Sequence, residues 1–250
     1  MSRKVRRYII IIAVIALLIT AHLLIHKVLY VQINDDEYCI LSSEVIIPGY
    51  VGRTDVEKLS EFKRLKHLGV SIMSPDISFV KNHKDLKQLA LWIIDFDKHG
   101  TDFTPLNNCK KIEEFGLTCD EADGAVIANM KDLRKLKLFA GHITNSSLIW
   151  ECRKLEKADI DIPADGLSLK GIGDLDELNH LYLSGDGEVS DADELCECDS
   201  LTELGIVCEI EDTSFLTNMP GLEKLYIKKS LIDQTTINVL EDKNIEITFY

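Results

Sequence analysis

The 250-residue sequence predicts an α/β fold. The expected architecture is a curved solenoid, with a parallel β-sheet on the concave face and short helices or 3₁₀ turns on the convex face, preceded by a single transmembrane helix. Three observations carry that prediction. A unit of 21 to 26 residues recurs through most of the chain, its apolar residues fall first at helical and then at strand spacing, and eighteen nearly unbroken apolar residues precede the array. A unit that small cannot bury its apolar face alone and must stack on copies of itself.

The units are counted from a small polar residue of the kind that favours a helix N-cap. These anchors are Asp55, Asp76, Asp102, Asp123, Asn145, Ser168, Asp191, Asp212 and Asp233. Four residues after each stands Leu, Ile or Val, from Leu59 to Ile237. Seven after stand Phe62, His83, Cys109, Met130, Cys152, Leu175, Cys198, Met219 and Leu240. That spacing puts one apolar face on a short helical turn. Ten after, the first eight units carry Leu or Ile, and at thirteen and fifteen two residues alternate as on a strand, from Leu68 and Val70 to Leu225 and Ile227. The last unit departs, with Lys243 at ten and Ile245, Ile247 and Phe249 following, and reads as a C-terminal closing strand.

The segment Leu133-x-x-Leu136-x-Leu138 and its copies resemble the leucine-rich repeat, over about nine units from Asp55 to Tyr250. Asp102-Phe-Thr-Pro-Leu106 and Asp212-Thr-Ser-Phe-Leu216 resemble the short repeats of bacterial internalin-like surface proteins. The resemblance implies recognition of a protein or peptide rather than catalysis. It also departs from the family's pattern. The Asn that ladders along the turn is replaced by Met73, Ile94, Asp120, Gly141, Pro163, Asp186, Glu209 and Ser230, so the turn backbone must be satisfied in another way.

In such a fold the partner meets the strand face opposite the core. Residues fourteen after the anchor point outward there and include Gly69, Ala90, Gly116, Lys137, Asp159, Tyr182 and Tyr226. Sixteen after, the outward row includes Trp92, Thr118, Phe139, Asp161 and Ser184. Trp92 and Phe139 fall two strands apart, about 10 Å, and exposed aromatics beside small residues are what interface anchors look like. Trp92, Phe139, Lys137, Tyr182, Tyr226, Asp159 and Asp161 are therefore the candidate partner-binding residues. A competing reading has Trp92 covered by the longer stretch of its own repeat, residues 94–101.

Residues 1–7 carry Arg3, Lys4, Arg6 and Arg7 and no acid, and residues 8–25 are apolar apart from Tyr8, Thr20 and His22. Eighteen helical residues reach about 27 Å, near the thickness of a bilayer's hydrocarbon core. The basic tail reads as cytoplasmic, 8–25 as an uncleaved signal-anchor, and the repeats as extracytoplasmic. A longer signal peptide that is removed is the alternative. Residues 26–54 read as a tether (27–34) and an N-terminal cap (38–47). Without its first 26 residues the chain has 24 basic against 42 acidic residues, a charge of −18. That excess repels nucleic acid and anionic lipid.

No nucleotide-binding, hydrolase or metalloprotease motif appears, and no cofactor is implied. A carbohydrate hydrolase could use paired acids such as Asp159 and Asp161, which share a strand face. A further reading makes the chain an accessory subunit of a membrane complex, acting through its span. Cys196-x-Cys198 lacks the second pair or His that a zinc site needs. The acidic segment 185–194, with Asp186, Glu188, Asp191 and Asp193, does not match a calcium-loop spacing and reads as a solvated turn. No two cysteines of one core row fall in adjacent repeats, so no same-row pair can close.

Overall fold

The computed structural model describes residues 3–95 and 100–250, and within the first helix the side chains of residues 12, 14–25 and 27–29. Helix α1 runs Arg3–Leu29. Strands β1 (Tyr30–Ile33) and β2 (Asp36–Cys39) follow as an antiparallel hairpin. Then come β3 (Glu44–Val51), the short helix α2 (Arg53–Val56), β4 (His67–Ile72), β5 (Gln88–Ile93) and β6 (Glu114–Asp123). The helical turn α3 (Gly124–Ala128) leads to β7 (Lys135–Thr144), β8 (Lys157–Ile162), the two-residue β9 (Leu167–Ser168), β10 (His180–Ser190), β11 (Glu203–Ile210) and β12 (Lys224–Ile227). Helix α4 (Gln234–Asp242) and β13 (Glu246–Phe249) end the chain. Among the described residues β3 to β13 form one sheet of eleven strands, all parallel, in chain order with β9 set beside β10. Single 3₁₀ turns such as Ser78–Asn82 and Thr104–Asn108 return the chain between strands. The expected α/β solenoid and its leucine-rich-repeat pattern are what the chain builds.

The strand register is the sequence register. Leu68 pairs Leu89, Leu89 pairs Phe115, Phe115 pairs Leu136, and the row runs on through Ala158, Leu181, Leu204 and Leu225 to Ile247. Every apolar position counted above from the four row to the strand rows, Leu59 to Ile227, is buried.

The seven row carries polar groups into this core, and one device satisfies them. His83 Nε2 lies 2.9 Å from the carbonyl oxygen of Leu59. The thiols of Cys109, Cys152 and Cys198 donate to the carbonyls of Val80, Ile127 and Ile172, at 3.3–3.4 Å. Each acceptor is the four-row residue of the preceding repeat, so the seven-row donor ties one turn to the next. The carbonyls of Val80, Ile127 and Ile172 use their second lone pair for it, since each also accepts from the N–H of His83, Met130 or Leu175 in its own turn. Burial pushes the His83 pKa below its ordinary 6.5. The folded state therefore favours neutral His83. Its contribution is complete above pH 6.5 and declines as pH falls below that value. Between pH 7.5 and 5 the thermal midpoint of the native chain should fall further than that of His83→Met, which puts the Met of position 130 into this row. Equal pH slopes would mean His83 charges freely when folded.

The missing asparagine ladder is replaced in two ways. The strands continue through the turn, with Glu121, Ala122 and Asp123 pairing His142, Ile143 and Thr144. The anchors also cap the next turn locally: Asp76, Asp102, Asp123 and Asp212 each accept from the backbone N–H two residues on, at 2.8–2.9 Å. Asp233 caps α4 through the N–H of Thr236. The N-cap expectation fails at Asn145 and Asp191, which adopt left-handed backbone (φ 51° and 59°), and at Asp55, which lies inside α2 and accepts instead from the N–H of Asn34.

The tether expectation is corrected. Residues 27–29 finish α1, and Tyr30–Ile33 form β1, whose Val31 and Ile33 are buried against the first repeat. Cap and sheet are continuous, since β3 pairs β4 in parallel. A chain starting at Asp35 should be less stable than one starting at Lys27 by about 3–6 kcal/mol, two buried aliphatic side chains. Urea unfolding of the two forms checks this.

Taking only the residues whose side chains are described, no helix is long and apolar enough to cross a membrane. Residues 8–11 and 13 of the expected span 8–25 lie outside those residues. The backbone of α1 is nonetheless helical over 27 residues, about 40 Å.

Candidate recognition face

The sheet's open face divides into two halves. In the first, the fourteen row offers Gly69, Ala90 and Gly116 in register on β4, β5 and β6. With no side chain beyond a Cβ, these form the floor of a trough, closed at one end by Ile46 and at the other by Lys137. One wall is aromatic. Tyr50, Trp92 and Phe139 are 43%, 50% and 44% exposed. Tyr50 and Trp92 meet edge to face, with centroids 6.2 Å apart. Trp92 pairs Thr118 and Thr118 pairs Phe139, so the two aromatics flank one strand as the spacing predicts. The opposite wall is polar, with Glu44, His67, Gln88, Glu114 and Lys135. The reading that residues 94–101 cover Trp92 falls partly on residues 96–99, outside those described; the indole itself is half exposed.

The second half is hydrogen-bonded and acidic. Lys137 Nζ sits 3.0 Å from Asp159 Oδ2, and His180 Nε2 lies 3.0 Å from Asp159 Oδ1. His180 Nδ1 lies 3.2 Å from Glu203, and that contact holds the Glu203 carboxyl below its usual range. Asp161 accepts from Ser184 Oγ at 3.0 Å. Tyr226 hydrogen-bonds Glu203. Tyr182 lies flat over Gly205, where a Cβ would come within 2.1 Å of its ring. Burial and a hydrogen bond with Tyr250 push the Tyr182 phenol up to about 12.

The seven candidate residues therefore share a face but not one function. Trp92, Phe139 and Lys137 are exposed at the trough, whereas Tyr182, Tyr226, Asp159 and Asp161 are half-buried and committed to neighbours. Asp159 and Asp161, the pair a hydrolase would need, are already bonded to Lys137, His180 and Ser184. Ile46 and Tyr50 are trough residues that the sequence reading missed, because residues 38–47 read as a cap rather than a strand. The available signal was the β-branched run Val45, Ile46 and Ile47 ahead of Pro48-Gly49. Pro48 and Gly49 (φ 75°) then shift the register of β3, so Tyr50 faces outward and Val51 inward.

Neither metal-like segment gathers ligands. The thiols of Cys196 and Cys198 turn to opposite neighbours, Phe215 and Ile172. In 185–194 the glycines answer a packing need: a Cβ on Gly185 or Gly187 would fall within 2.4 Å of the Ile162 or Pro163 carbonyl oxygen. Asp191 accepts from Ser168 and Ser190, and Glu194 from the N–H of Gly171. Among the described residues no three metal-ligating side chains converge.

No family model and no curated protein matches the sequence. Among solved structures, internalin C2 from Listeria monocytogenes is 20% identical, with a TM-score of 0.54 over 75% of this chain and 78% of that one. An internalin F from the same organism is 16% identical over 86% of this chain and 76% of that one, with a TM-score of 0.48. Fold, strand register and the similarity to internalin C2 agree that the chain folds as a leucine-rich-repeat solenoid.

Proposed function

We propose that the protein is a non-enzymatic, membrane-anchored module that binds a protein or peptide in the trough of its first four repeats. The observation carrying this is the trough itself: three half-exposed aromatics beside a floor with no side chain beyond a Cβ. An extended chain can approach such a floor closely, while its apolar residues pack on Tyr50, Trp92 and Phe139. Helix α1 supplies the anchor, and the basic residues of 1–7 keep the N-terminus cytoplasmic with the repeats outside. Exposed Ile12, Leu17, Leu24 and Val28 on that helix support the anchoring.

Gly116→Leu tests the trough. A Cβ at Gly116 meets only Ala90, at 3.7–3.8 Å, so the larger side chain fills the trough without straining the sheet. A partner co-purified from solubilised membranes with the native chain should be lost with this variant, at an unchanged melting temperature. Capture that ignores Gly116→Leu but fails when α1 is exchanged for an unrelated span would instead support the accessory-subunit reading, with recognition in the helix.

A further inference from the structure

The acidic excess of the repeat domain argues for repulsion from every anionic surface, but the charge is unevenly placed. Positions eight, nine and eleven after each anchor form one edge of the solenoid, where the chain leaves the convex turn and enters the strand. In the first two repeats that edge presents Lys63, Arg64, Lys66, Lys84 and Lys87 around one groove, with Asp85 and Lys111. Lys87 is paired with Glu113 and Lys111 with Asp85. Lys63, Arg64, Lys66 and Lys84 are exposed, and among the described residues no carboxylate lies within ion-pair distance of them. At the same positions in the last four repeats stand Asp176, Glu177, Asp199, Glu223, Glu241 and Asp242.

The basic end is the end next to α1. The carbonyl of Leu29, the last residue of that helix, accepts from Ile40 N–H at 2.8 Å, and the carbonyl of Ile40 accepts from Lys63 N–H at 2.8 Å. Two backbone hydrogen bonds therefore separate the end of the helix from the first cation, about 10 Å at strand spacing. The acidic end begins at β10, five strand steps from β4 and about 24 Å away. That exceeds the screening length of about 8 Å at physiological salt, so it does not cancel the attraction of the near end.

We propose that Lys63, Arg64, Lys66 and Lys84 bind the anionic lipid headgroups of the leaflet from which α1 emerges, and so hold the solenoid against the bilayer. This rests on α1 being the membrane anchor. Clustered basic side chains beside a membrane segment are drawn to anionic headgroups within a screening length of the surface.

The test uses the full chain in vesicles of phosphatidylcholine alone and of phosphatidylcholine mixed with phosphatidylglycerol. Lysine acetylation rates are read by mass spectrometry. In the mixed vesicles Lys63, Lys66 and Lys84 should react at least about threefold more slowly, and high salt should restore the rate, as headgroup attraction requires. Lys224 and Lys243 should react alike in both. Arg64→Glu with Lys84→Glu, both exposed positions, should make Lys63 and Lys66 insensitive to lipid. Equal rates in both vesicles, for protein that resists alkaline carbonate extraction, overturn the inference and leave the anchor standing. Release by carbonate overturns both. Protection that appears in either lipid and grows with protein density overturns it in favour of the acidic edge of a second copy.

Discussion

Leu136→Asp unfolds the central repeats. Leu136 is 1% exposed on β7, in register between Phe115 and Ala158. Removing its side chain alone costs about 2–5 kcal/mol, and a carboxylate left among aliphatic groups adds several more. The sum rivals the whole stability of an ordinary domain, about 5–15 kcal/mol. Because each repeat contacts only its neighbours, the loss severs the interfaces on both sides. The expected measurement is collapse of the far-UV CD signal and proteolysis near β7, while Leu136→Ala stays folded with a lower urea midpoint. A native-like midpoint for the Asp variant would remove Leu136 from the core.

Trp92→Ala should cost the largest share of partner affinity, at least about 30-fold, the range of an aromatic anchor at the centre of an interface. The fold should be unaffected, since half the indole is already in solvent and its ring packs edge to face on Tyr50. Tyr50→Ala should lose less, through the edge-to-face contact worth about 0.5–1.5 kcal/mol. Tyr226→Ala should fall below both, because Tyr226 is half-buried and tied to Glu203 at the other half of the face. Titration calorimetry with the co-purified partner orders the three. Equal affinity for Trp92→Ala and the native chain would exclude the trough.

The solenoid was legible because its rows are written at fixed spacing. A row such as Leu68, Leu89, Phe115 and Leu136 needs no long-range guess, since each strand pairs with the next one in the chain. What escaped was local geometry. The anchors at Asn145 and Asp191 look like caps in sequence, but left-handed backbone turns their side chains toward neighbouring repeats, where Asn145 donates to Asp123 and Asp191 accepts from Ser168. Tyr50 was hidden by the Pro48-Gly49 shift in register, which breaks the alternation on which a strand reading depends. The candidate site was half legible. Trp92 and Phe139 stood out by row, but nothing in spacing shows that Asp159 is occupied by Lys137 and His180.

The thiols of the seven row have a consequence for the compartment in which such a chain can live. Burial pushes Cys109 and Cys152 up to about 11 and Cys198 up to about 12. The thiolate is the species that attacks a disulfide or an oxidant, and at neutral pH these sulfurs hold almost none of it. Each is also fixed on a carbonyl of the preceding turn, in repeats that never adjoin. Cysteine here serves as a small apolar residue with one hydrogen to give, and these three buried sulfurs resist oxidation and exchange.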